Sequence, residues 1–542
     1  MPFLRKGFEL AKPHVKTAAT NIAKDVVSTA TTSIANRFNQ PPQEGSGLVY
    51  VKNNTNKRKR KSLHRWGPPG MHKKLGSATK TSQKRKRTRK NRSVKKKKNS
   101  PGINIFLKMA FIHCASGECV KSELDVFAVP PTQTSIENSF FMEVAPLAAL
   151  SPLAPIEFYI SGSTEMYLDL NDTLLYLTCK ITKADGSAIP ATAKVATIAY
   201  PVATLFNQVD ITLGDRLITQ SDNMYAYRAY IESILNYSND ALDTQFTAGL
   251  FYKDTAGHME DYALDGANAG FIKRATHARG SRNFDLLGRL HSNLFFQEKL
   301  MVNGVDLKIK LSRNKDAFCL NSDDAEAYKL IIVSASLFIK RVNVSPTVRL
   351  AHADALQVSN LKYPVERTSL KIFSVPAGSR VASQDNLFLG QLPKIIIIGF
   401  VDNTAFSGAY ASNPFNFKHY NINYAALFKD GVVIPSKAYS PSFQQKNTIR
   451  EYLGLVSISG KHLHDKGFVI PRDDYDGGYT LLAFDLRPDN TSTGHYNLIR
   501  NGNLRIEVRF AANLPNTVNL IIMALFDSVM ELNNQRQVLY DM

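Results

Sequence analysis

Three short stretches carry residues whose types and spacing could do chemistry. Residues 108–119, KMAFIHCASGEC, place His113 beside Cys114, with Cys119 five positions on. That spacing lies within the range used by zinc ligands, but a closed site needs four, and Cys179 and Cys319 sit far along the chain. Residues 461–465, KHLHD, put His462 and His464 on one face of an extended segment with Asp465 beside them; two imidazoles and a carboxylate can hold a metal. Residues 472–478, RDDYDGG, offer three acids and two glycines, without the twelve-residue spacing and closing Glu of a calcium loop. We read the first as a seam between two kinds of chain, the second as a solvated loop and the third as a turn. GLVSISGKH (454–462) has one residue too many for a phosphate-binding loop and ends in His, and neither a Gly-x-Ser-x-Gly elbow nor His-Glu-x-x-His occurs. Paired carboxylates meet only in three dimensions, and nothing in the sequence favours them. The sequence therefore assigns no catalytic residue, no metal and no cofactor, and the expectation is that the protein is not an enzyme.

The charge is the stronger signal. The 542 residues carry a formal net charge of +21, and all of the excess lies in the first fifth. Residues 1–108 hold 28 Lys and Arg against Glu9, Asp25 and Glu44 alone, whereas residues 109–542 hold 39 Lys and Arg against 43 Asp and Glu. Between 57 and 98, 20 of 42 residues are basic and none is acidic. The few apolar anchors, Leu63, Trp66, Met71, Leu75 and Val94, cannot build a core, and the like charges repel, so the arm is expected to be largely disordered. A polyanion would condense it through counterion release, without base readout. The candidate nucleic-acid-binding residues are Lys57, Arg58, Lys59, Arg60, Lys61, Lys84, Arg85, Lys86, Arg87, Arg89, Lys90, Lys95, Lys96, Lys97 and Lys98. KRKRK and KRKRTRK also satisfy a nuclear localisation signal. Ahead of them, residues 3–37 carry a weak amphipathic helical stripe interrupted by Pro13. No segment reads as a signal peptide, and no apolar run approaches the length of a membrane span. Four cysteines in a chain of this length are no disulfide framework.

From Ile156 onward the pattern is short strands: IEFYIS, LLYLTCKITK, VDLKIKL, KIIIIGFVD, LRIEVRF and others, with Gly, Asn, Asp and Pro between them. In Val305, Leu307, Ile309, Leu311 and in Leu504, Ile506, Val508, Phe510 every second residue is apolar, as in a sheet with one face in a core and one in water. The pieces recur in order. VDITLGDRLI (209–218) leads to a helical stretch at 224–237, and YAALFKDGVVI (424–434) leads to one at 448–456. Asn303-Gly304 and Asn501-Gly502 each precede an alternating strand, and KLIIVSASLF (329–338) and NLIIMALFDS (519–528) each follow one. This predicts a duplication. The fold class is all-β: two tandem jelly-roll β-sandwiches with short helices in loops, preceded by the basic arm. The expected domains are 1–108, 109–345 and 346–542, each jelly roll burying its own core. FYKDTAGHMEDYALDGANAG (251–270), polar and Gly-rich, suits an exposed loop or tower on the first.

The stretch MAFIHCASGECVKSELDVFAVPPTQTSIE (109–137) resembles the opening of the major capsid proteins of Polinton/Maverick elements, also called adintoviruses. LTCKITKADG (177–186), NQVDITLGDRLI (207–218), YRAYIESILNY (227–237) and LFYKDTAGHM (250–259) resemble that family too, so the likeness runs in order over 109–542. It implies a double jelly-roll capsid protein whose homotrimers form pseudo-hexagonal capsomers of an icosahedral shell. The implied partners are neighbouring capsomers, penton or minor capsid proteins and packaged double-stranded DNA, with no membrane span. The implied location is the virion, and the host nucleus during assembly. Residues 1–108 lie outside this likeness and resemble, in composition, the basic core proteins of adenovirus-like genomes. The rival readings are a host nuclear nucleic-acid-binding protein on a β-scaffold and a β-sandwich hydrolase.

Overall fold

The computed structural model describes residues 121–152, 154–489 and 495–540. The basic arm, the 3–37 stripe and the His113, Cys114 and Cys119 cluster lie outside the described residues. Residues up to Thr132 separate from a second unit, Gln133–Met542. The described part of the first, from Lys121, holds one short turn of helix, Ser122–Leu124, and exposes Leu124, Val126, Phe127 and Val129.

The second unit contains two sandwiches with the same strand order. The first uses β1 (Ile136–Val144), β2 (Ile156–Ile160), β3 (Met166–Lys183), β5 (Phe206–Leu213), β6 (Arg216–Leu217), β7 (Phe284–Arg289), β8 (Leu307–Arg313) and β10 (Tyr328–Val344). A small accessory pair, β4 (Val195–Thr197) and β9 (Leu320–Ser322), stands apart. The sheets run β1-β10-β3-β7 and β2-β8-β5-β6. The second sandwich uses β11 (Leu361–Val375), β12 (Val381–Gln384), β13 (Ile395–Asp402), β14 (Ile422–Lys429), β15 (Val432–Tyr439), β16 (Leu481–Asp485), β17 (Leu504–Phe510) and β18 (Val518–Leu532), with β19 (Val538–Leu539) added to β18. Its sheets run β11-β18-β13-β16 and β12-β17-β14-β15. Counted one to eight within each sandwich, both read 1-8-3-6 against 2-7-4-5. Every pairing is antiparallel, and this order closes the sandwich by long crossings between its two sheets.

The local chemistry explains the elements. In β8 and β17 the predicted alternation holds: Leu307, Ile309 and Leu311, and Leu504, Ile506, Val508 and Phe510, are all buried, while Lys308 and Lys310 are exposed. The β14–β15 hairpin turns at Asp430 (φ 49°) and Gly431 (φ 83°), the two positive-φ positions that a tight hairpin demands and that Asp-Gly supplies. Four helices matter below: α1 (Tyr225–Asn236) and α2 (Ala269–Ala278) after the fifth strand of the first sandwich, α3 (Pro346–Leu356) between the sandwiches, and α4 (Ile449–Ile458) after the fifth strand of the second. Among the described residues no helix is long and apolar enough to cross a membrane.

Two expectations are corrected. The two interiors are not isolated from each other: the core of each sandwich continues through the apolar seam between them, and one hydrophobic cluster runs from Ile156 through both to Tyr540. Residues 251–270 do not form an exposed tower. Phe251, Asp254, Met259, Tyr262 and Asn268 are buried there, because their polar groups find partners inside. Asp254 meets Arg274, Asn413 donates to Asp254, and Asn268 caps α2 by accepting from the Phe271 N–H. Composition alone reads such residues as solvated; pairing lets them sit in a core.

Candidate assembly surface

The residues that could do chemistry do not converge. His462, His464 and Asp465 are exposed in the loop after α4. The loop is pinned by Lys461, whose Nζ donates to the Tyr237 carbonyl at 2.7 Å; burial, with Lys466 nearby, pushes this amine down to about 8. In the RDDYDGG segment, Asp474 pairs with Lys253, and Tyr475 is buried with its hydroxyl on the Leu481 carbonyl, 2.9 Å away. Among the described residues no three or more His, Cys, Asp or Glu side chains group as metal ligands. Cys179 and Cys319 are buried free thiols, pushed up to about 12 by burial. An open cleft of about 480 Å³ is lined by Gly257–Asp261, Asn416, Lys418–Tyr420 and Asp476–Gly478, and its Lys418 is tied to Glu260 at 3.0 Å.

Sequence reasoning missed two buried polar clusters. In one, Glu232 takes Arg228 Nε at 2.8 Å and lies 3.1 Å from His291 Nδ1, while His291 Nε2 is 3.4 Å from the Tyr200 hydroxyl. Burial would raise the Glu232 carboxyl, but Arg228 and His291 outweigh it and hold it below the ordinary carboxylate value. His291 is 1% exposed, and its backbone N–H donates to the Tyr225 hydroxyl at 2.8 Å, so the cluster fastens α1 to the loop after β7. In the other, Arg274 (1% exposed) donates to the Thr197 and Tyr252 carbonyls at 2.8 and 2.6 Å and to Asp254 at 2.7 Å. Asp254 also accepts from Asn413 at 2.9 Å, and its carbonyl accepts from Tyr479 at 2.6 Å. Residues from both sandwiches thus share one buried ion pair. No spacing motif announces it, because Asp254 and Asn413 are 159 positions apart.

The largest arranged surfaces are the sheet faces. In the second sandwich the 1-8-3-6 sheet is covered on both sides. Phe400 meets Phe510 of the opposite sheet edge-on, ring centroids 5.4 Å apart, so the alternate side chains Ile395, Ile397 and the Gly399 position face outward. These are buried as well. Phe417 lies against Gly399 so closely that a Cβ there would stand 2.7 Å from its ring. Beyond it α1 brings Tyr230, stacked on Phe415 at 4.2 Å, and Tyr227, against Phe406, Phe415 and Phe417. The first sandwich's α1 therefore roofs the second sandwich's outer face.

The matching face of the first sandwich has no such roof. Leu175, Leu177 and Cys179 of β3 point into its core, and Leu174, Tyr176 and Thr178 between them stay half-exposed, as do Leu287 of β7 and Phe338 of β10. Tyr176 and Phe338 meet edge-on at 6.3 Å. At the end of the same sheet β1 exposes Phe140 and Phe141, 45% and 53% accessible. The 2-7-4-5 sheets, by contrast, carry charge outward: Lys310 sits between Glu157 and Asp210, and Arg505 and Arg509 flank Glu507 over Phe428 and Tyr424. Those faces are charged; the first sandwich's 1-8-3-6 face is mixed, with Leu174, Tyr176, Leu287, Phe338 and Phe141 set among Glu143, Ser336 and Lys340. The fifteen candidate nucleic-acid-binding residues between Lys57 and Lys98 lie outside the described residues.

The backbone arrangement has solved counterparts. A chain of the Sputnik virophage, solved by cryo-EM, superposes with a TM-score of 0.57 at 12% identity, covering 80% of this chain and 94% of that one. The fold is a double jelly roll. The double jelly roll is also similar to the mavirus major capsid protein (TM-score 0.47, 12% identity, 82% and 97% covered) and to the Faustovirus major capsid protein (0.46, 8%, 74% and 92%). In sequence, an uncharacterized protein of Caenorhabditis elegans is 23% identical over 432 residues, 76% of this chain and 99% of that one. No family model matches the chain.

Proposed function

We propose that this chain is the major capsid protein of a Polinton/adintovirus-like DNA element. It forms homotrimers whose six jelly rolls make a nearly hexagonal tile of an icosahedral shell. The observation that carries the reading is the exact repetition of the 1-8-3-6 and 2-7-4-5 strand order within one chain, since three chains with two like sandwiches each fill six similar positions around a threefold axis. The unroofed face of the first sandwich supports it, because its partly exposed Leu174, Tyr176, Leu287 and Phe338 form the kind of apolar cluster that marks interaction sites. So does the likeness in sequence to capsid proteins of such elements, and the fold shared with virophage and Faustovirus chains. The functional unit is then residues 109–345 followed by 346–542. Residues 1–108 act as a DNA-binding arm drawn to the packaged genome, and its basic runs direct import to the nucleus, where capsomers meet penton and minor capsid proteins. No step of this role needs a catalytic group or a cofactor.

Light scattering and DNA-binding assays on the full chain and on a form lacking 1–108 test it. The expected result is a particle of three 60.3 kDa chains, with DNA affinity that falls steeply with salt. Removing 1–108 abolishes the DNA affinity and leaves the trimer. A stable monomer, or a shortened form that keeps the DNA affinity, contradicts the reading.

A further inference from the structure

The two sandwiches treat their helices differently. Both α1 and α4 follow a fifth strand, and both carry Arg-x-Tyr followed by a branched apolar residue: Arg228, Tyr230 and Ile231 in α1, Arg450, Tyr452 and Leu453 in α4. Aligned on this motif, Tyr227 corresponds to Ile449. Tyr227 is 2% exposed because it sits in the aromatic roof over the second sandwich. Ile449 is 42% exposed and Leu453, one turn on, is 39% exposed. These two form an i,i+4 apolar stripe on the outer side of α4, whose other side packs Glu451, Leu455 and Val456 inward. The structure thus holds one roofed 1-8-3-6 face with its helix, and one bare 1-8-3-6 face and one bare helix at matching places in the repeat.

Resting on the capsomer reading, we infer that the bare face and the bare helix belong to each other in adjacent copies. The α4 stripe of one chain, Ile449 and Leu453, seats on the outer face of the neighbour's β1-β10-β3-β7 sheet at Leu174, Tyr176, Phe338 and Phe141. The contact between chains repeats the contact within the chain, where α1 roofs the β11-β18-β13-β16 sheet. It is heterologous, because a helix of one sandwich meets a sheet of the other kind. A heterologous contact either closes a ring or grows a filament. In the capsomer reading the intrachain and interchain junctions alternate around the threefold axis, and the ring closes at three chains.

Two pairs of substitutions on the full chain test this by light scattering. Ile449→Glu with Leu453→Glu spoils the helix stripe, and Phe141→Glu with Tyr176→Glu spoils the sheet face; all four side chains are at least partly exposed. Each variant alone is expected to lose the trimer, a threefold fall in mass, with unchanged circular dichroism. Mixed in equal amounts they are expected to recover two-chain particles, because each supplies the half that the other lacks, and never a closed ring. Disulfide capture keeps the test open if a charged variant misfolds. Tyr176→Cys with Leu453→Cys in one chain is expected to give, on oxidation, a covalent ladder of one, two and three chains that stops at three. A chain with only one of the two added cysteines gives no ladder beyond that of the wild type, which has four cysteines of its own.

Retention of the trimer by either charged variant, or a ladder from one added cysteine equal to that from both, overturns the inference while leaving the capsomer reading intact. A wild-type chain that is itself monomeric overturns both.

Discussion

Replacing Asp254 by Ala tests whether the buried polar cluster holds the two jelly rolls together. The substitution removes the carboxylate bonded to Arg274, at 2.7 Å, and the acceptor for Asn413 at 2.9 Å. Arg274 keeps its bonds to the Thr197 and Tyr252 carbonyls. Those satisfy donors but not charge, and a guanidinium cannot shed its proton. With both side chains 1% exposed or less, the cost is that of leaving one charge of a buried pair uncompensated, about 3–5 kcal/mol. Glu326→Ala is the control: its pair with Lys183, at 2.9 Å, is 31% and 53% exposed, and such pairs contribute about 0–1 kcal/mol. Urea unfolding followed by far-ultraviolet circular dichroism reads both. Asp254→Ala is expected to lower the unfolding free energy several-fold more than the control. A loss within about 1 kcal/mol would refute the reasoning that residues 251–278 clamp the second sandwich onto the first through a dry ion pair.

Other substitutions probe the sheet and its surroundings. Ile398→Ala, which empties a side chain 1% exposed at the centre of the second core, is expected to cost about 2–5 kcal/mol by the same unfolding assay. Gly399→Ala would set a Cβ 2.7 and 2.8 Å from the side chains of Phe417 and Leu481, and overpacking of this kind costs about 1–3 kcal/mol; a neutral result would mean that the roof of Phe417 and α1 yields easily. Lys461 gives a pH signature. Its amine is lowered from 10.5 to about 8 by burial, so the unfolded chain binds the proton more tightly, and stability rises with pH between about 8 and 10.5. Lys461→Met lacks this rise, so the urea midpoint of the wild type should gain on that of the variant across the window. Parallel curves would contradict the burial of the amine.

Much of the fold was legible because β-structure writes a period of two wherever one face is dry. Val305, Leu307, Ile309 and Leu311, and Leu504, Ile506, Val508 and Phe510, were readable for that reason, and all are buried. The uninterrupted KIIIIGF became β13, buried on both sides, and continuous apolar runs of that kind mark strands covered on both faces. The repeat was legible through order, and the matched strands and helices take the same places in both sandwiches. What escaped depends on contacts between distant positions. A polar, Gly-rich stretch such as 251–270 looks solvated until Arg274 and Asn413 are seen to meet Asp254. The bare face at Tyr176 and Phe338 escaped as well. A half-exposed aromatic and a buried one are the same letter, and only the contrast with the roofed second sandwich singles these residues out.

Electron microscopy of the purified full chain, with classification of single particles viewed down their symmetry axis, tests the central claim most directly. The account predicts a closed particle with six like lobes and a hexagonal outline, built from three chains. Particles with only two lobes, one chain each, would contradict it.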